Sequence, residues 1–147
     1  MSKTTLGYLI RHGFVPYSGE SSKVTYNEEI WEEEDINSVY RRGDICLFNF
    51  KVRRDTYMLA DTALGIITIP QEYTPRNREW IPLLITYTPV EGTFTRRAGT
   101  SILLDTNGTI NLQSIADLLL GLNAKEDLQH ITLEFSNVAW QINPNYL

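Results

Sequence analysis

The chain is poor in the residues that carry most enzymatic chemistry. It has one cysteine, Cys46, among 147 residues. That excludes an internal disulfide and fits a reducing compartment, or a protein indifferent to redox state. Its two histidines, His12 and His130, stand far apart, in no metal-ligand spacing and with no cysteine partner. Each is read as a satisfied or exposed side chain. There is no glycine-rich phosphate loop, no Gly-x-Ser-x-Gly and no Walker pattern. No apolar run approaches the roughly 20 residues of a membrane span. The opening "MSKTTLGYLIRHGF", with one early lysine and a polar break at Arg11-His12, does not read as a secretory signal. Positive charge is short as well: 13 Lys and Arg against 18 Asp and Glu leave a net −5, whereas a nucleic-acid face must be basic. Repeats, linkers and low-complexity segments are missing. No catalytic residue, metal or cofactor is expected, and neither is binding to nucleic acid or insertion into a membrane.

What is present is period-two alternation, the signature of half-buried strands. Leu6, Tyr8 and Ile10 share one face of a possible first strand. In "DICLFNFKVR", Cys46, Phe48, Phe50 and Val52 form a wholly apolar face, which makes Cys46 a buried and inert thiol. "PLLITYTP" sets Leu83, Ile85 and Tyr87 together, fenced by Pro82 and Pro89. Ile102 and Leu104 precede Asn107-Gly108, and Ile110 and Leu112 follow it. That is a strong hairpin signal, because both turn residues tolerate positive φ. Ile131, Leu133 and Phe135 alternate, and Val138, Trp140 and Ile142 alternate one residue out of phase, so a bulge or turn is expected near Ser136-Asn137. One stretch has helical spacing instead: Leu112, Ile115, Ala116, Leu119 and Leu120. Asn111 is a candidate cap for its start and Gly121 for its end, and a further turn is expected from Asn123 to Glu126. Many short strands, frequent turns and one short helix point to an antiparallel sandwich or barrel. A single domain of this length buries close to 70% of its unfolded surface without staples.

The one charge block is "NEEIWEEED", where six acids lie between Glu28 and Asp35. It lacks the spacing of an EF-hand loop. Carboxylates adjacent in sequence, Glu32 to Glu34 among them, also cannot be assigned to opposite sides of a scissile glycosidic bond. A solvated face is expected, with the basic pairs Arg41-Arg42, Arg53-Arg54 and Arg96-Arg97 available to meet it across strands or subunits. Binding chemistry falls to the aromatics. Trp31, Trp80 and Trp140 are flat and amphipathic, and such rings stack on sugars while neighbouring polar groups hold hydroxyls. Trp140 lies in an alternating strand and is assigned to the core. Trp80, in the loop-like "TPRNREWIP", is the candidate ligand contact, with Arg78 and Arg76 beside it. The alternative for Trp80 is packing beneath its own loop.

The order of these segments resembles a known family. A Gly43-Asp44 turn leads into an apolar strand. Then comes "LGIITIPQEYTPRNREWIPLLITY", with Ile69-Pro70 and Tyr73 to Pro75, and later the hairpin Asp105 to Ile110. Over residues 35 to 112 this looks like the head domain of bacteriophage tail fibres and baseplate receptor-binding proteins. The resemblance implies an all-β antiparallel jelly-roll sandwich like that of complement and tumour-necrosis-factor domains, with one short helix, assembled as a homotrimer. It implies a place in the virion at the tail tip or baseplate, made in the bacterial cytoplasm. It also implies contact with other tail or baseplate proteins and adhesion to a host cell-wall saccharide without catalysis. Residues 36–147 would form the head, and residues 1–35 either N-terminal strands of the sandwich or a docking segment. Two departures stand out: no long shaft precedes the matching segment, and the helix near Ile115 is foreign to the fold. They favour the alternative of a structural virion protein that joins tail components. A glycan-degrading enzyme rests only on the acidic block. Arg42-Gly43-Asp44, an adhesion signal in other settings, is expected to make a turn.

Overall fold

The computed structural model describes residues 21–91, 94–119 and 127–147. The expected strand through Leu6, Tyr8 and Ile10, His12, the helix end at Leu120 and Gly121, and the turn at 123–126 lie outside them. The described residues form β1 (Ser21–Ser22), β2 (Glu32–Arg42), β3 (Ile45–Arg54), β4 (Ile66–Thr68), β5 (Glu79–Pro89), β6 (Arg96–Leu104), β7 (Thr109–Asn111), the short helix α1 (Ile115–Leu118) and β8 (Leu128–Gln141). All eight strands belong to one strongly curled sheet in the order β1-β2-β3-β8-β5-β6-β7-β4, and every pairing is antiparallel. Among the described residues this is the expected all-β antiparallel class with one short α-helix. Residues 21–35 contribute β1, the buried Val24 and Trp31, and the start of β2.

Alternation decides which side chains face inward. Cys46, Phe48, Phe50 and Val52 are fully buried along β3, as are Leu83 and Ile85 on β5, Leu104 on β6, and Leu133 and Phe135 on β8. The centre is aromatic. Phe48 lies 5.8 Å from Phe50, 5.0 Å from Phe135 and 5.8 Å from Trp140, ring centre to ring centre. These separations fall in the range where offset and tilted ring pairs attract. The indole N–H of Trp140 donates to the Tyr73 carbonyl at 2.8 Å, and that of Trp31 to the Leu64 carbonyl at 2.9 Å, so neither buried indole is left unpaired. Burial pushes the Cys46 thiol up to about 11, which keeps it protonated and inert at neutral pH.

Register shifts in β2 and β8 bend the sheet, and a third lies between Thr88 and Pro89 where β5 meets β8. Phe48 pairs with Val138 but Phe50 with Phe135, so β8 carries one extra residue at Ser136-Asn137, the site expected from the change of phase. Asn137 sits at φ 50° and donates its N–H to Asn49 Oδ1 at 2.9 Å. In β2 two extra residues intervene between Glu33 and Asn37, with Asp35 at φ 66°. Bulges bend a strand and raise its twist. The curl brings the two edges of the sheet together. Thr25, just past β1, exchanges two backbone hydrogen bonds of 3.0 and 2.9 Å with Thr68 of β4. Next to it, Asn37 acts as a substitute peptide: its Oδ1 accepts from the Val24 N–H at 2.8 Å and its Nδ2 donates to the Val24 carbonyl at 3.0 Å. Asn37→Ala should therefore strand both polar backbone groups of Val24. The expected cost is about 1–3 kcal/mol, read as a lower urea midpoint at unchanged m, with faster hydrogen exchange at Thr25 and Thr68.

The turns are more specific than the sequence reading allowed. Gly43-Asp44 joins β2 to β3 as a two-residue loop with Gly43 at φ 68°, the type II′ arrangement in which glycine takes the first central position. Arg41 Nε donates to the Gly43 carbonyl at 2.6 Å, and the Asp44 carbonyl accepts the Ile142 N–H at 2.8 Å. Arg42-Gly43-Asp44 is thus a hairpin turn. At the second hairpin only Gly108 has positive φ, at 87°. Thr106, Asn107 and Gly108 form a three-residue loop, closed by Gly108 N–H to the Asp105 carbonyl at 2.9 Å and Asp105 N–H to the Thr109 carbonyl at 3.0 Å. Asn107 instead accepts from the Thr109 N–H with its side chain. The cap of α1 is Ser114 rather than Asn111. Ser114 Oγ accepts from the Asp117 N–H at 3.2 Å, and its hydroxyl lies 2.7 Å from Asp117 Oδ2.

Candidate functional site

β5 begins at Glu79 and runs through Pro82, so Trp80 stands on a strand and not in the expected proline-bounded loop. Pro82 is tolerated there because β8 joins β5 only from Leu84 onward. That leaves one flank of β5 unpaired at Pro82, where a residue without an N–H costs no ladder bond. With Ile81, Leu83 and Ile85 pointing inward, Trp80 must point outward. It is 69% exposed, which removes the alternative of packing beneath its own chain.

Trp80 pairs with Leu103 of β6, and Asn111 of β7 pairs with Ile66 of β4. An outward-facing row of aromatic, aliphatic, amide and aliphatic side chains therefore crosses the outer surface. Beside Trp80 this row is hollowed into a groove of about 320 Å³, at the small end of the range for ligand sites. Trp80, Leu103 and Leu118 supply its apolar walls, and Asp105, Asn111, Gln113 and Asp117 its polar ones. The position of each polar group follows from local structure. Asp105 starts the three-residue hairpin loop. Asp117 is fixed by the Ser114 cap. Gln113 sits at φ 60°, held by its N–H to Asn111 Oδ1 at 3.0 Å and by its carbonyl, which accepts the Leu64 N–H at 2.6 Å. A non-glycine residue in this region stores about 1–3 kcal/mol of strain, a cost that proteins concentrate at functional sites.

Neither of the two arginines expected beside Trp80 lines the groove, but Arg78 borders it: its Nε lies 3.8 Å from Asp105 Oδ1. Arg76 is exposed and does not line the groove. Its backbone N–H donates to the Gln141 carbonyl at 2.8 Å, which ties its segment to the end of β8. Asp105, Asn111, Gln113 and Asp117 were missed in sequence. The only signals they gave were turn and cap chemistry, which says nothing about neighbours in space.

The other polar clusters are accounted for by the fold. The acids of the block are solvated as expected, with Glu34 alone half-buried, and their partners come across strands. Arg53 Nε lies 3.6 Å from Glu32, Arg53 Nη1 3.7 Å from Glu34, Lys51 3.8 Å from Glu34 and Lys23 3.7 Å from Glu33. Such exposed pairs contribute about 0–1 kcal/mol each. Of the expected basic pairs, Arg53 meets the block; Arg54 bonds the Ile30 carbonyl and Arg41 the Gly43 and Tyr146 carbonyls. His130 is satisfied by Asp55 on one ring nitrogen and Thr132 on the other. That order of acid, imidazole and hydroxyl resembles a hydrolytic triad, but Thr132 is 7% exposed and its hydroxyl is shielded from a substrate. Asp127 is held below the usual carboxylate range by the Tyr57 hydroxyl, and Tyr57 is raised by the same bond. Among the described residues, no group of three or more His, Cys, Asp or Glu side chains is placed to hold a metal ion, and no helix is long and apolar enough to cross a membrane. No protein-family model, curated protein or solved structure matches the chain.

Proposed function

We propose that the protein is a non-catalytic adhesion module that holds a saccharide in the Trp80 groove. In the setting implied by its sequence resemblance, it works as a homotrimer at a bacteriophage tail tip or baseplate and takes its ligand from the host cell wall. The observation that carries this reading is Trp80 itself. A large ring left 69% exposed on a structured strand, with carboxylate and amide groups around it, is the combination that stacks on a sugar face and holds its hydroxyls. Trp31 and Trp140 are each 3% exposed, so a change of indole fluorescence on adding wall polysaccharide reports Trp80. Trp80→Ala should abolish that signal and weaken retention on host cell walls by about 30-fold or more, the size of an aromatic anchor worth about 2 kcal/mol. The melting temperature should stay within a few degrees, because little buried area is lost. Full retention by the variant would sink the reading. Light scattering across a dilution series tests the assembly, with a stable mass near three chains expected.

A second reading, a structural virion protein that joins tail components, rests on a different surface. Phe94 is 80% exposed and Val90 41%, both in the connection between β5 and β6, and apolar side chains at such a tip suit a protein contact. Capture of another tail protein, lost in Phe94→Ser and kept in Trp80→Ala, would select it.

A further inference from the structure

Resting on the saccharide reading, we infer that the Trp80 groove is one end of a longer cleft whose ligand is a linear glycan without anionic groups. Free amines on its sugar rings are preferred over their N-acetylated counterparts. The groove does not end at its polar wall. A second depression of about 450 Å³ adjoins it and shares Asn111, Gln113 and Asp117 with it. This second depression adds Asp61, Gly65 and Ile66. Ile66 is 50% exposed and lies across β6 and β7 from Trp80 in the same outward row. The cleft therefore offers an apolar surface at each end and hydrogen-bonding groups between them, the spacing of successive rings along a chain and not of a single compact ligand.

Its charge is one-sided. Among the described residues, the walls of the two depressions carry three carboxylates, Asp61, Asp105 and Asp117, and no Lys, Arg or His. Arg78 answers one of them, Asp105, at 3.8 Å. Asp61 and Asp117 have no cationic partner among the described residues. A uronate or phosphodiester entering the cleft meets like charge, whereas an ammonium group supplies the missing counter-charge.

The test is calorimetric titration with three oligomers of equal length: an N-acetylglucosamine tetramer, the corresponding glucosamine tetramer and a tetragalacturonate. At low salt the amine-bearing tetramer should bind about tenfold more tightly than the acetylated one. The ratio should shrink toward one as ionic strength rises through about 0.5 M. The uronate should show no binding. In the Asp61→Asn, Asp117→Asn double variant the ratio should fall to about one, whatever happens to absolute affinity. Uronate binding at the level of the neutral tetramer, or a preference unmoved by salt or by the double variant, overturns the inference. Trp80-dependent binding of the neutral tetramer without an amine preference overturns the charge inference and leaves the saccharide reading standing. If none of the three binds, both fall.

Discussion

Replacing Phe48 with alanine should remove about 3–5 kcal/mol of folding free energy, the usual cost of deleting a buried phenyl ring. Phe48 is fully buried, and its ring meets Phe50, Phe135 and Trp140. These side chains come from β3 and β8, so collapse around the cavity would have to move two strands against their own hydrogen bonds. Relaxation is therefore restricted and the cost should fall toward the upper end. A domain of ordinary stability has only about 5–15 kcal/mol in total. The expected result is a large drop in the urea midpoint with m preserved. Phe94→Ala, which deletes the same ring where it is 80% exposed, should stay within about 0.5 kcal/mol. A Phe48→Ala midpoint close to wild type would mean that the aromatic cluster is not the centre of the core.

Gly108→Ala should be nearly as damaging, through the backbone and not through lost area. At φ 87° a Cβ at this position would lie 2.7 Å from the Ile69 carbonyl oxygen and 3.0 Å from Thr74 Cγ2. The obstructing oxygen belongs to the backbone, and the same residue's N–H donates to the Gly108 carbonyl at 2.8 Å. Relieving the clash therefore stretches the bond that fastens the hairpin to the chain after β4. The left-handed conformation alone costs an L-residue about 1–2 kcal/mol, and a displaced buried hydrogen bond adds about 1–3 kcal/mol. Gly99→Ala is the matched control: nothing lies within 4 Å of its added methyl and its φ is not positive, so a neutral or slightly stabilising effect is expected. Because the hairpin carries Asp105 and leads into Asn111, Gly108→Ala should also weaken the proposed glycan retention.

Much of the fold was legible because alternation is a local property. The inward set on β3, the phase change at Ser136-Asn137 and the two hairpins can each be read from residues a few positions apart. Two local readings failed for physical reasons. Proline breaks a ladder, which makes Pro82 look like a fence, yet β5 has no ladder partner on one flank there. Residue type alone points to Asn111 as the helix cap, but Ser114 lies at the right distance from Asp117 and Asn111 turns the chain at Gln113 instead. The groove itself was mostly illegible. Alternation tells which face Trp80 occupies, but not that β6, β7 and the Ser114 cap lie beside it. That information resides in strand order, and strand order is set by non-local packing. Arg78, two residues from Trp80, borders the groove through Asp105, whereas the backbone bond of Arg76 to β8 ties its segment elsewhere.

The strand order also constrains how the chain is born. β8 follows every other described strand in sequence, yet it occupies the middle of the sheet, between β3 and β5. While it is still inside the ribosome, β1-β2-β3 and β5-β6-β7-β4 are two fragments, each with a naked strand edge and an uncovered aromatic or aliphatic face. The two can meet at the Thr25–Thr68 bridge, but the sheet stays open between β3 and β5 until Leu128–Gln141 emerges and slots between them. Closure therefore depends on long-range pairing, the slow regime for folding. During that interval the nascent chain exposes the edges and apolar surface that chaperones exist to shield.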